Sequence, residues 1–242
     1  MSWFGIRTSL SLLFALAALL AGCSGGTTHD ACGVVLAIEG SVTIAEKGAS
    51  ARVVEPGSSF CAGAVLHTSA SSSAQIACLA NTLVQLLAET DFEIDRLTLR
   101  RDGNETADEV EARAVRCRLP AGLIYLSHLR PWGSSDLTII TPHGTLITNS
   151  DCLVRVQVDN RRIRITSARG TCSFQPASGQ PAVAVETGFL YQWPSPEPAP
   201  VIAANEADGQ REIAELIDAE KRLNALAITQ RSAPPPWRRG GR

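Results

Sequence analysis

The chain has 242 residues, 22 Lys plus Arg against 24 Asp plus Glu, and a hydrophobic fraction of 45% with few aromatics. That balance carries no basic excess to steer nucleic acid, and the apolar content is enough for a sizeable core. The length suggests one main domain with a separate tail.

The first element is apolar. Arg7 precedes an apolar run over residues 10–20 that closes on Leu20-Ala21-Gly22-Cys23. A positive charge, a short apolar core and small residues before a cleavage point are the three parts of a secretory signal peptide. The core is shorter than the roughly 20 residues that span a bilayer, so a retained membrane anchor is the weaker reading. Leu-Ala-Gly-Cys in this place resembles a bacterial lipobox. The resemblance implies a leader at 1–22, a diacylglyceryl thioether on Cys23 and an acyl chain such as palmitate on its amine. Acyl chains contribute about 0.8 kcal/mol per buried methylene, so several hold a protein on a membrane without a spanning helix. Ser24 stands where lipoprotein sorting calls for aspartate to retain the protein in the inner membrane. The implied localisation is the cell envelope, at the periplasmic face of the outer membrane. Residues 23–32 then read as a lipidated flexible tether. Without Arg7 the mature chain has 21 Lys plus Arg against 24 Asp plus Glu, a net −3.

Cys32, Cys61, Cys78, Cys117, Cys152 and Cys172 remain once Cys23 is set aside. An even set in an oxidising compartment predicts three disulfides, and six cysteines allow 15 connectivities. The preferred pairing is Cys61 with Cys78 and Cys152 with Cys172, each bracketing an expected hairpin, which leaves Cys32 with Cys117. No Cys-x-x-Cys or His spacing supports a metal alternative.

From 33 to 193 the apolar residues come in short, β-branched or alternating runs punctuated by Gly, Pro, Ser and Asn, which predicts an all-β domain. The clearest signal is a hairpin: Leu153 to Val158 alternates, Asp159-Asn160 turns, and the chain returns over 161–166. Val154, Val156 and Val158 share one face with polar groups opposite, as in a half-buried hairpin. Residues 34–44 read as strand, Gly40 turn, strand. Residues 64–68 and 74–78 flank a serine-rich turn, and 82–87 and 92–99 continue the series. The spacing favours a β-sandwich, barrel or stacked β-solenoid over a parallel α/β sheet. Residues 89–111 hold nine carboxylates and three arginines. They read as solvated surface, because the ligand periodicity of a calcium loop is missing.

A proline-rich spacer follows at 194–203. Residues 204–228 predict a C-terminal amphipathic α-helix with Ile213, Leu216, Ile217, Leu223 and Leu226 towards one side. That side is expected to dock on the domain, or else to bind a partner or form a coiled-coil arm. Residues 229–242, with three consecutive prolines and four arginines, read as a disordered basic tail.

The pattern offers no catalytic motif. There is no Gly-x-Ser-x-Gly elbow, Ser71-Ser72-Ser73 suits a turn, and His29, His67, His128 and His143 lack ligand spacing and read as surface or turn residues. No metal, no cofactor beyond the covalent lipid, and no enzymatic activity are expected.

Order along the chain points further. Gly40-Ser41-Val42-Thr43, Glu55-Pro56-Gly57-Ser58-Ser59-Phe60-Cys61-Ala62-Gly63-Ala64-Val65-Leu66-His67-Thr68, Leu119-Pro120-Ala121-Gly122-Leu123, Ile139-Ile140-Thr141-Pro142-His143-Gly144 and Thr187-Gly188-Phe189 together resemble the FecR domain family over about 33–193. The resemblance implies a FecR-like β-sandwich or β-solenoid that binds another envelope protein or a cell-wall component without catalysis. The family's regulators also carry a cytoplasmic sigma-factor-binding region and a transmembrane helix, for which the leader leaves no place. The alternative is an envelope signal sensor acting through an inner-membrane partner.

Overall fold

A computed structural model describes residues 27–101, 110–130, 133–194 and 199–232. The leader, Cys23, most of the acidic turn at 102–109, residues 195–198 of the spacer and the tail from 233 lie outside the described residues. The strands are β1 (Thr27–Asp30), β2 (Gly33–Glu39), β3 (Val42–Ala45), β4 (Arg52–Val53), β5 (Ser59–Phe60), β6 (Val65–Thr68), β7 (Ser73–Leu79), β8 (Thr82–Leu86) and β9 (Asp91–Arg101). Then come β10 (Val110–His128), β11 (Ser134–Thr141), β12 (Gly144–Thr148), β13 (Cys152–Val158), β14 (Ile163–Gly170), β15 (Cys172–Pro176), β16 (Val183–Val185), β17 (Phe189–Trp193) and β18 (Val201–Ile202). A 3-10 turn at Ala203–Asn205 leads to the helix α1 (Gly209–Ser232). The expectation of an all-β fold with a C-terminal helix holds.

The ladders build two sheets that share β10. Sheet A runs β4, β3, β6, β9, β10, β11, β12, β15, β16, with β1 beside β6 on the same edge of β9. Sheet B runs β5, β2, β7, β8, β10, β13, β14, β17, β18. Among the described residues no ladder returns to close either sheet into a barrel. All pairs are antiparallel except β10 with β11. One apolar core takes inward side chains from both sheets, among them Ile76, Leu86, Ile124, Leu126, Val156 and Ile165 of B and Leu66, Phe92, Ile94, Leu119, Ile139 and Phe174 of A.

β10 changes sheets at Pro120-Ala121-Gly122. Its pairing with β11 ends at Arg118, and its pairing with β13 begins at Gly122. Gly122 has φ +115°, and a Cβ there would stand 2.5 Å from Thr90 Cα. Only glycine fits both conditions. Thr90 fastens the corner: its Oγ1 accepts from Leu123 N at 3.0 Å, while its own N donates to Thr68 Oγ1 at 2.9 Å.

Several expectations change. The Gly40 turn and the serine turn do not close hairpins. β2 and β7 lie in sheet B while β3 and β6 lie in sheet A, so both turns are corners between sheets. They meet where Ser41 N donates to Ser72 Oγ at 2.9 Å. The Asp159 hairpin is present, but its return strand begins at Ile163. Asp159 Oδ1 accepts from the amides of Arg161 and Arg162 at 2.8 and 2.9 Å, which holds both residues in the turn. The flexible tether is shorter than expected, because the polar Thr27–Asp30 forms a ladder with β9 from Thr27↔Arg101 to Asp30↔Thr98. Backbone pairing makes this strand, which is why its exposed, unpatterned side chains gave no signal. The spacer likewise ends in a paired strand, β18 on β17. The helix begins at Gly209 rather than 204. Its backbone passes so close to Ala203 that a Cβ would stand 2.6 Å from the Ala203 carbonyl carbon.

Gly122→Ala is therefore expected to cost about 3 kcal/mol through left-handed strain and the Thr90 clash, read as a lower urea midpoint at unchanged m-value.

Candidate functional site

A two-sheet domain has two outer faces, and here they differ. The outer face of sheet B is covered. Gln75, Gln85, Tyr125, Arg155 and Thr166 form one cross-strand row over β7, β8, β10, β13 and β14. α1 lies over it. Leu216 and Ala219 pack with Tyr125 and Leu153, and Leu223 packs with Leu36 and Leu83.

Carboxylates on the helix meet the polar row. Glu212 is buried, 2.9 Å from Arg164 Nε and 3.3 Å from Arg155 Nη1, and Thr166 Oγ1 donates to it at 2.5 Å. Tyr125 donates to Glu215 at 2.9 Å, and burial followed by that carboxylate pushes the phenol up to about 12. Glu220 takes a two-pronged contact from Arg169 at 2.6 and 2.9 Å and accepts from Ser127 at 2.9 Å. Burial opposes its ionisation, yet Arg169 and Ser127 prevail and hold the carboxyl below its ordinary value.

Of the residues expected to bind a partner, Leu216 and Leu223 are thus consumed by docking, and Leu226 packs against the same face. Ile213 is half-buried and Ile217 remains exposed. The apolar stripe was legible in the sequence. The glutamates that pin it were not, because their partners lie 46 to 93 residues away.

Among the described residues no helix lies over the outer face of sheet A. Two rows cross it: Val65, Glu93, Arg118, Ile140, Thr145 and Gln175, then Arg116, Thr138, Ile147, Ser173 and Ala184. Asp95, at the bulge between paired residues Arg116 and Cys117, takes Arg118 Nε at 3.2 Å and Arg116 Nε at 3.6 Å. His67 Nδ1 contacts Asp91 at 2.7 Å on the same face. One side of the face is therefore a charge ladder. The other is rich in threonine and isoleucine, with Ile147 47% exposed.

A third cluster is internal. His128, expected at the surface, is fully buried on β10, because its inward parity matches Ile124 and Leu126. Its Nδ1 contacts Thr82 Oγ1 at 2.9 Å and its Nε2 contacts Ser135 Oγ at 3.2 Å. Asn81 Nδ2 donates to Ser135 Oγ and to Leu129 O, both at 2.8 Å. A serine on a histidine suggests nucleophile and base, but the orienting third group is a hydroxyl and the trio is sealed from solvent. Its role in this geometry is to clip β11 of sheet A to β8 and β10 of sheet B.

The expected cysteine pairing is corrected. Cys61 bonds Cys32, not Cys78, because β6 and β7, which lie between 61 and 78, belong to different sheets and form no hairpin. Cys32–Cys117 is excluded with it, and the expected Cys152–Cys172 bond is not made either, Cys152 opening β13 in sheet B and Cys172 opening β15 in sheet A; Cys78, Cys117, Cys152 and Cys172 are buried thiols. His29 contacts Thr27 on exposed β1, and His143 contacts the Asp159 carbonyl. Among the described residues no three His, Cys, Asp or Glu side chains form a metal-binding group.

No family model matches the chain, and no curated protein matches it. Two crystal structures of a putative anti-sigma factor from Parabacteroides distasonis, at 1.65 and 2.50 Å, are similar over 53% of this chain and 53% of theirs. Each has 12% identity and a TM-score of 0.39. The functional reading therefore rests on this chain's own residues.

Glu212→Gln leaves two arginines without their carboxylate and is expected to cost about 3 kcal/mol, with amide exchange in α1 rising before that in the sheets. Glu220, depressed when folded, contributes stability that is complete at neutral pH and lost as pH falls through its folded value. Burial also lowers His128, so its contribution fades as pH drops below the ordinary histidine range near 6.5. Unfolding free energy is expected to fall in two stages on acidification, and Glu220→Gln is expected to remove the lower one.

Proposed function

We propose that the chain is a lipid-anchored lipoprotein of the bacterial envelope whose β domain works by contact, binding an envelope protein or cell-wall component through the open face of sheet A. The anchor reading rests on Leu20-Ala21-Gly22-Cys23 behind an apolar leader. The contact reading rests on one contrast: α1 occupies the outer face of sheet B, while the Thr138, Ile140, Thr145 and Ile147 side of sheet A carries no such cover. Four residue steps separate Cys23 from Thr27, so an anchored domain stands within about 14 Å of its lipid. The likeness to FecR domains belongs to this reading, as does a non-enzymatic role.

The test is crosslinking in intact cells followed by mass spectrometry. Wild-type protein is expected to capture one abundant envelope protein or glycan. Ile147→Glu, at an exposed position, should change stability by less than about 0.5 kcal/mol and abolish the capture. Undiminished capture by this variant would remove sheet A as the contact face. Cys23→Ala is expected to move the protein from the membrane to the soluble fraction, and retention in the membrane would overturn the anchor. Capture of an inner-membrane protein would favour the signal-sensor reading over an assembly role.

A further inference from the structure

The outer face of sheet B is closed by α1, yet the core beneath is complete without it. That core runs from Val35 to Tyr191 and contains no residue of the helix. α1 adds two small clusters on the outside, Leu216 and Ala219 with Tyr125 and Leu153, and Leu223 with Leu36 and Leu83. The chain reaches it through residues 205–208, all exposed, after Ala203 has been fixed by donating its N–H to Gly188 O at 2.8 Å. The helix also carries ion pairs of its own, Arg211 with Asp208 at 2.8 Å and Lys221 with Asp218 at 3.0 Å, which it keeps when it swings on that hinge.

The fit between α1 and the face is charged and incomplete. Arg155 and Arg164 share one carboxylate, Glu212. The Arg155 side chain is 9% exposed and donates Nη2 to Gln157 Oε1 at 2.8 Å, but its Nε and Nη1 reach no hydrogen-bond acceptor among the described residues. The same holds for Arg164 Nη2. Buried donors without acceptors are costly, so the face offers more than α1 answers. Arg169 adds a third guanidinium, met by Glu220 at 2.6 Å. Three cations thus border an apolar floor of Leu36, Leu83, Tyr125 and Leu153.

We propose that this face is a docking surface for an acidic amphipathic helix of a partner protein, and that α1 is the resident competitor that occupies it until the partner displaces it. Recognition is of the helix-in-groove kind. Apolar residues at i, i+3 and i+7 fill the floor, as Leu216, Ala219 and Leu223 do, and carboxylates three or four residues ahead of them meet the arginines, as Glu212 and Glu220 do. α1 has the advantage of its tether, because a short hinge sets a high local concentration. A partner sees only those molecules whose face is open, so its apparent affinity rises as the hold of α1 falls. The inference needs neither the lipid anchor nor the sheet A contact proposed above.

The probe is a fluorescent peptide of residues 206–232, added to the full chain and followed by anisotropy. Two forms of the chain are compared, wild type and one with a Gly-Ser insert of about twenty residues between Ala207 and Asp208. The insert sits in the exposed hinge, outside the core and outside the contacts of α1 with sheet B, so its main effect is on the local concentration of the helix. Lengthening a hinge of about 5 residues to about 25 lowers that concentration about tenfold, and the probe is expected to bind the insert form about tenfold more tightly. The same peptide carrying Glu212→Gln and Glu220→Gln is expected to bind both forms at least about tenfold more weakly. Equal affinity for the two chains, no binding to either, or an amide peptide as tight as the acidic one would each overturn the proposal. So would exchange of α1 between wild-type chains, seen as a dimer in sedimentation, because it makes a second copy the occupant.

Discussion

The fold depends on a single continuous strand that belongs to two sheets. β10 pairs with β9 and β11 in its first half and with β8 and β13 in its second. Because it runs unbroken through the corner, the two sheets cannot slide past one another without breaking ladders on both sides. The corner can turn only because residue 122 tolerates a positive φ with Thr90 packed where a side chain would go. Everything that faces inward inherits its partner from that register, including the His128 clip and the buried thiols.

The same strand explains why the two outer faces diverge. Its second half places Tyr125 and Ser127 on the outside of sheet B, where they meet Glu215 and Glu220 of the helix. Arginines held beneath a helix would be costly alone, and the buried Arg155 and half-buried Arg164 are tolerable there because Glu212 comes down between them. Docking is thus specified by charge as well as by the apolar stripe. Sheet A satisfies its charges within its own surface, through Asp95, Arg116 and Arg118, and calls for no such cover.

Much of this was legible where period-two alternation runs without a bulge, as along Val154 to Val158. Val154, Val156 and Val158 announced their face, and the Asp159 turn announced itself through side-chain chemistry. Sheet membership was not legible. A glycine or serine cluster between two strands has the same composition whether it closes a hairpin or turns a corner between sheets, and that ambiguity misplaced the Cys61 bond. β1 was invisible for another reason: four exposed polar residues have no periodicity, and only the unpaired edge of β9 makes them a strand. His128 was misread because one histidine within an apolar run carries no sign of which way it points. On the helix the apolar positions were read correctly and the acidic ones were not, since their partners are distant in sequence.

The Cys32–Cys61 bond sits immediately after β1, and this position has a mechanical meaning. Tension arriving from the N-terminal side would first open the Thr27↔Arg101 pair and then peel β1 from β9 one residue at a time. The peeling stops at Cys32, because the covalent link passes the load to Cys61 beside β5 and so into sheet B. Five residues, 27–31, can be paid out, adding about 17 Å of reach before the Cys32–Cys61 bond takes the load, and Ala31 is the one among them packed on the core. The domain thus has a short extensible leash with a hard stop, and a pull that would otherwise fall on β2 alone is shared through a bond.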